Sequence, residues 1–288
     1  MIYLNYRMAK AGETLHIDES FSAGGGKGAN QAVAAQRLGA KTNFIGAIGD
    51  DDAGKVMLEL LSEEKINLAG IETLKNTSTG QAYVIVTDNS ENRIFVLGGA
   101  NMLLTPQHVK AHEDLIQQSD FVVAQFETPI ETTIEAFKIA KQKGVKTILN
   151  PAPAVKEVPQ ELLKVTDMII PNETETQILT GIKIENEDDM IKAADQLHDL
   201  GIQIVLITIG SKGTFYSYDH KHGIVPACKV KAVDTTAAGD TFIGALSSKL
   251  KTDFSNLEDA IKFSNQASAL TVQRYGAQPS IPYLKELN

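Results

Sequence analysis

The sequence contains one cysteine, Cys228, so it has no internal disulfide framework and a reducing cytoplasmic location is expected. No uninterrupted apolar run approaches the length of a membrane span, and residues 1–6 do not read as a signal peptide, so no membrane partner is expected. Positive charge is in deficit. Lys and Arg number 27 against 36 Asp and Glu, a net charge of −9 that argues against nucleic acid as the main partner. That balance does not disfavour a small anion held locally by backbone N–H groups. Internal repeats, low-complexity tracts and linkers are missing, so the 288 residues are expected to form one domain, 1–288. The usual catalytic sets are missing too. No Ser–His–Asp or Cys–His arrangement is evident, and His108 and His112 have no third ligand with which to hold a metal. Lys27 is followed by Gly28 rather than Ser or Thr, which excludes a P-loop.

What is present is a regular alternation from Thr105 onward. Thr105-Pro106 is a helix start, with the helix expected to run to about Gln117. Residues 121–124, 147–149, 168–170 and 202–207 are short apolar runs. Between them, Ile130, Ile134 and Phe137, and then Met190, Ala194 and Leu197, recur at helical spacing. Strands apolar on both faces belong to parallel sheets covered by helices, so the expected fold is α/β, a wound and mostly parallel sheet flanked by helices. The first third differs. Residues 2–6 and 13–17 read as a strand pair and 81–87 with 93–97 as a hairpin; this β-only excursion (about 2–18 and 80–98) suggests a lid or an oligomer surface.

The chemistry concentrates in loops after these strands. In Asp234-Thr235-Thr236-Ala237-Ala238-Gly239-Asp240, small residues leave the backbone bare where an apolar helix begins, a place that favours phosphate. Asp240 is in the first turn, where a carboxylate is electrostatically odd unless it handles the proton of a group attacking that phosphate. Gly24-Gly25-Gly26-Lys27-Gly28-Ala29-Asn30 lets backbone approach a ligand closely, with Lys27 and Asn30 as donors suited to a polyhydroxylated molecule. Asn172-Glu173-Thr174-Glu175 follows an apolar strand and is either a capped acidic helix start or a site where Glu175 orders waters around Mg²⁺. Thr208-Ile209-Gly210-Ser211-Lys212-Gly213 is either a nucleotide loop or a simple turn. Glu127 and Asn150 end two more strands. Ligands of open α/β sheets lie at the carboxyl ends of strands, where the loops at 127, 150, 172–175 and 208–213 fall.

Three of these stretches, 25–31, 172–175 and 234–242, together with Gly276-Ala277-Gln278-Pro279-Ser280, resemble the ribokinase family of sugar kinases, over residues from about 12 to 282. The resemblance implies ATP-dependent phosphorylation of D-ribose at its 5-hydroxyl, with a kinase for deoxyribose or fructose as the alternative. It also implies a β-strand lid that closes over the sugar and pairs two subunits into a homodimer. Carried over by position, Asp240 is the expected base and Ala237, Ala238 and Gly239 the anion hole. Gly26, Lys27, Asn30 and Glu127 are the expected sugar contacts. Asn172, Glu175, Thr208, Gly210, Ser211, Gly213 and Asn265, with Gly239, are the expected ATP contacts. Asp234, Thr236, Thr271, Arg274, Gly276 and Ser280 are expected around an activating monovalent cation, K⁺, with Glu175 toward Mg²⁺ through water. The family also begins with a buried strand ending in Gly-Ser-x-Asn-x-Asp, whereas here residues 2–6 match the lid strand that follows it. The expectation is therefore a sheet short of its first core strand and of two sugar ligands. Either the natural start lies upstream, or this is a poorly active or sensing form.

Overall fold

The computed structural model describes the backbone of residues 2–4, 9–16, 19–20, 22–87 and 92–287, and the side chains of 9–16, 22–85 and 94–287. In chain order, strands β1 (Ile2–Leu4) and β2 (Glu19–Ser20) precede helix α1 (Lys27–Arg37). Strand β3 (Asn43–Gly49), helix α2 (Asp52–Glu63) and β4 (Asn67–Leu74) come next, then the hairpin strands β5 (Gln81–Thr87) and β6 (Asn92–Leu97). The chain then alternates through α3 (Pro106–Ala111), α4 (Glu113–Gln117), β7 (Phe121–Ala124), α5 (Ile130–Gln142), β8 (Lys146–Leu149) and α6 (Gln160–Leu163). It continues with β9 (Met168–Ile169), α7 (Glu173–Thr180), α8 (Glu187–Asp199), β10 (Ile204–Thr208), β11 (Thr214–Tyr218) and β12 (Lys221–Val225). Two helices, α9 (Ala238–Lys249) and α10 (Leu257–Thr271), follow.

The main sheet has the order β12-β11-β10-β9-β8-β7; β7 to β10 are parallel, and the β10–β11–β12 edge is antiparallel. Its strands are apolar on both faces because both are covered. Leu149, Ile169, Val205 and Ile207 pack with Phe137 of α5, Leu162 of α6 and Leu197 of α8. Their neighbours Ile148, Met168, Ile204 and Leu206 point the other way, onto Phe242, Ile243 and Leu246 of α9 and Ile261 of α10. The two-residue alternation of a strand thus feeds two separate cores. A separate parallel pair, β3–β4, sits beside this layer; Ile45 of β3 and Val122 of β7 pack on one cluster, yet the two strands do not pair. Among the described residues, β3 and β7 each keep one unpaired edge.

The early strands form their own four-stranded sheet, β2-β1-β5-β6. Its base is clamped by glycines. A Cβ on Gly49 would fall 2.0 Å from the Thr77 carbonyl oxygen, and one on Gly99 2.3 Å from that of Ser78, so backbone meets backbone there. Asp51 caps α2 through Gly54 N–H (2.9 Å) and accepts from the Thr79 hydroxyl (2.5 Å) and N–H (2.9 Å). Those bonds, the Thr79 hydroxyl first, hold the Asp51 carboxyl below its ordinary range.

Two expected elements differ. Residues 13–16 are not a strand: around Gly12 the Lys10 and Glu13 polar groups bond each other in a local turn, and β1 pairs instead with Glu19–Ser20; Ile17 lies outside the described residues. The helix expected over 105–117 breaks at His112, which ends α3 and begins α4. His108 is a structural residue, accepting from Thr105 N–H on Nδ1 (3.1 Å) and facing Glu72 through Nε2.

Candidate active site

The site is built at the start of α9. Ala237 holds a left-handed conformation (φ 60°, ψ 10°), which turns the chain sharply into the helix. The first helical bond runs from Thr241 N–H to Ala237 O (2.8 Å), so Gly239 and Asp240 have N–H groups without a helical acceptor. Of the expected donors, Ala238 N–H is already used, by Thr235 O at 3.2 Å. Gly239 is exposed, and a Cβ built on it meets nothing within 4 Å, so the backbone there is bare.

Asp240 is 8% exposed. A buried carboxylate needs donors, and two adjacent amides of α1 supply them: Asn30 Nδ2 to Oδ2 at 2.9 Å and Gln31 Nε2 to Oδ1 at 3.0 Å. The reach depends on close helix packing. A Cβ on Gly244 would lie 2.5 Å from Ala34 Cβ and 2.6 Å from Gln31 O, so α1 and α9 touch there as only glycine allows. Asn30 Oδ1 is buried and has no partner among the described residues.

Beside this pair, Gly26 (φ 90°) turns the glycine loop into α1, and Lys27 N–H donates to Glu127 Oε2 at 2.8 Å. Gly26, Lys27, Asn30 and Glu127 therefore do come together around Asp240. Asn172 and Glu175 form a reciprocal capping box on α7: Asn172 Oδ1 accepts from Glu175 N–H (2.8 Å), and Glu175 Oε2 from Asn172 N–H (2.9 Å). Burial pushes the Glu175 carboxyl up, the Lys27 ammonium opposes that, and the Asp240 charge adds to it, so the three share one field.

Thr208 bridges to Asn172, and Gly210 (φ 55°) opens an exposed turn that carries Ser211. Gly213 must be glycine, since its Cβ would fall 2.1 Å from Val225 O. Asn265 is committed internally, accepting from the Thr214 hydroxyl (3.0 Å) and donating to Val225 O (3.0 Å) and Pro226 O (3.2 Å). It holds the end of β12 to α10.

The remaining expected residues join two loops. Asp234 Oδ1 accepts from Thr236 N–H (2.9 Å) and hydroxyl (2.6 Å), and Oδ2 from Gly276 N–H (2.9 Å). Burial works against its charge, but the bonds from Thr236 and Gly276 outweigh that and hold its carboxyl low. Ser280 is fully buried, its hydroxyl on Ala277 O (2.7 Å). Two side chains turn elsewhere. Thr271 is buried against Thr241 (3.0 Å) between α9 and α10, and Arg274 pairs with Glu286 at 2.5 Å.

A family model described as pfkB family carbohydrate kinase matches residues 1–284. The chain belongs to the pfkB family of carbohydrate kinases. It is an ATP-dependent sugar kinase. A ribokinase of Staphylococcus aureus is 50% identical over 283 residues, covering 98% of this chain and 93% of its own. A deoxyribokinase of Salmonella typhi is 36% identical over 289 residues, covering 100% and 94%. The solved structure of Arabidopsis thaliana ribokinase, complexed with ribose and ATP, superposes with a TM-score of 0.93 at 33% identity, covering 99% of this chain and 93% of that one.

In this pfkB kinase the sequence pattern hides one partner of Asp240. Gln31 directly follows Asn30, and neighbours on a helix do not normally face one way; the longer glutamine reaches back to the same carboxylate. The only sequence signal for it is adjacency to Asn30 in the glycine-rich stretch.

Proposed function

We propose that this kinase phosphorylates D-ribose at its 5-hydroxyl, using ATP. The observation that carries the reading is the pairing of Asp240, buried and held by two amides, with free N–H groups at the start of α9. Asp240 takes the hydroxyl proton as the alcohol oxygen bonds to the γ-phosphorus. The bond from that phosphorus to the β–γ bridging oxygen breaks, and ADP leaves with its electrons. The Gly239 and Asp240 N–H groups stabilise charge on the transferring phosphoryl. Asn30, through its unpartnered Oδ1, and Lys27 and Glu127 are the sugar contacts. Asn172, Thr208, Gly210, Ser211 and Gly213 line the ATP side, with Asn265 supporting the nearby loop. Ribose is favoured by the identity to ribokinases across the whole chain. The whole-length match to a deoxyribokinase keeps deoxyribose as a second reading.

Two cations fit the residues present. Among the described residues no cluster of three acidic or histidine side chains exists, so Mg²⁺ would be held mainly by phosphates and water, as suits its reluctance to dehydrate. Glu175, partly desolvated beside another carboxylate, is a group such a cation would relieve. When bound, Mg²⁺ supplies charge neutralisation to the phosphates. Asp234, held ionised between the 234–236 and 276–280 loops, fits a monovalent cation such as K⁺, with backbone carbonyls of those loops as the remaining donors. The lid is proposed to close over the sugar and to pair two subunits, because Phe95 and Val96, on opposite faces of β6, are both exposed.

The test is ADP release with D-ribose, 2-deoxyribose and fructose, each with and without K⁺. The reading expects the highest kcat/KM with D-ribose, and a further rise with K⁺. Comparable or better turnover of deoxyribose or fructose would overturn the ribose assignment, and bound nucleotide without any ADP release would favour a sensor.

A further inference from the structure

The two amides on Asp240 are not equivalent. Asn30 keeps a spare acceptor, its buried and unpartnered Oδ1. Gln31 has none spare. Its Nε2 donates to Asp240 Oδ1 (3.0 Å) and leans on Asn150 Oδ1 (3.3 Å), and its Oε1 accepts from Gln125 Nε2. Asn150 is in turn fixed by its own Nδ2 donating to Ile170 O at 3.0 Å. Gln31 is 3% exposed, so water does not compete for these bonds. Flipping its amide would turn Oε1 toward the Asp240 carboxylate and set two NH₂ groups against each other at Gln125. The chain from Gln125 through Gln31 to Asp240 therefore has a single satisfied arrangement.

We propose that Gln31 is the positioning residue of this kinase: it locks Asp240 Oδ1 in place, leaving Oδ2, on the Asn30 side, as the oxygen that receives the hydroxyl proton. The inference rests on Asp240 being the base. The sugar does not touch Gln31, whose polar atoms are all engaged by protein, so Gln31 acts on turnover rather than on binding. Asn30 differs, because its open acceptor is available to a hydroxyl. Sequential amides on one helix thus divide the work, one holding the base and the other meeting the substrate. Gln125 and Asn150, at the carboxyl ends of β7 and β8, tie this alignment to the main sheet.

The test compares Gln31→Met, Gln31→Glu, Asn30→Ala and Asp240→Asn in the full chain. Gln31→Met keeps the volume and removes the amide. Misalignment of the base should lower kcat about 10- to 100-fold with KM for sugar and ATP close to wild type, alongside a lower unfolding midpoint, because Asp240 and Gln125 each lose a buried partner. Asn30→Ala should act chiefly on the sugar KM. Gln31→Glu sets a like charge against the base, in a site also faced by Lys27, Glu175 and Glu127, and should move the acid limb of the pH–rate profile upward. A purely structural Gln31 would lower stability without a matching fall in the kcat of the folded enzyme, and would leave that limb in place. Wild-type kcat in Gln31→Met, or an unmoved limb in Gln31→Glu, overturns the proposal while an inactive Asp240→Asn leaves the base standing. Activity in Asp240→Asn would instead remove the base itself. If Gln31→Met does not fold, Gln125→Met, which frees only the Gln31 carbonyl, should still lower kcat several-fold without changing KM, and wild-type kcat there overturns the proposal.

Discussion

Strands β10 and β6 draw on the same kinds of residue and end in opposite surroundings. Ile204, Val205, Leu206 and Ile207 are wholly buried, whereas Ile94, Phe95, Val96 and Leu97 are between 45% and 67% exposed. In β10 both faces meet helices, so every apolar side chain contributes to one of two cores. In β6 the cross-strand pairs Tyr83–Phe95 and Ala82–Val96 put exposed apolar groups on both faces of the sheet. Apolar residues alone do not make a core. The main sheet spends its hydrophobicity on stability, and the β2-β1-β5-β6 sheet leaves much of its own exposed.

Substitutions can push that contrast to breaking point. Leu206→Asp buries an unpaired charge in the core under α9, which costs several kcal/mol against a total stability of about 5–15 kcal/mol. The variant should fail to give a cooperative thermal transition; a wild-type midpoint would contradict the two-core description. Gly244→Ala forces a methyl into the contact between α1 and α9 and should lower stability by about 1–3 kcal/mol in urea unfolding, with a fall in kcat as the amides shift from Asp240. Unchanged stability and kcat would mean that the helix spacing does not set the site.

Asp51→Ala probes the bond from the start of α2 to Thr79, just ahead of β5. Loss of the cap should cost about 0.5–2 kcal/mol at neutral pH, measured by urea unfolding. Because the folded carboxyl is held low, its contribution is complete above the ordinary Asp value of about 3.9 and fades as pH falls through the lower folded value. The difference between wild type and variant should therefore be constant near neutrality and shrink under strongly acidic conditions. A difference growing on acidification would reverse the assignment. Val96→Asp, on the exposed face, should change the stability of the folded monomer by no more than about 0.5 kcal/mol. Sedimentation should find it less associated than wild type if the lid is the subunit contact, and equal association would remove that role.

The same contrast explains what could be read from the sequence. Nearly unbroken apolar runs such as 202–207 report burial on both faces directly, and Gly144 marks the end of α5. The pairing of β1 with Glu19–Ser20 could not be read, because it is decided by a local turn at Lys10–Glu13 and by contacts far apart in sequence. That Asn30 meets Asp240 and Lys27 meets Glu127 could be anticipated as a grouping of positions, because unusual residues cluster at strand ends and helix starts. Gln31 could not be, since its role depends on how closely two helices approach at Gly244, some two hundred residues away. Thr271 and Asn265 were legible as positions, but tertiary packing decided that their side chains face inward.

The central claim is that a carboxylate held by two amides readies an alcohol beside a phosphate cradled at a helix start. Its most direct test measures, in Asp240→Asn, both steady-state turnover with D-ribose and ATP affinity by calorimetry. The account predicts a loss of turnover of about 10²- to 10⁴-fold with ATP affinity nearly unchanged. Turnover close to wild type, or ATP affinity lost along with it, would contradict the account.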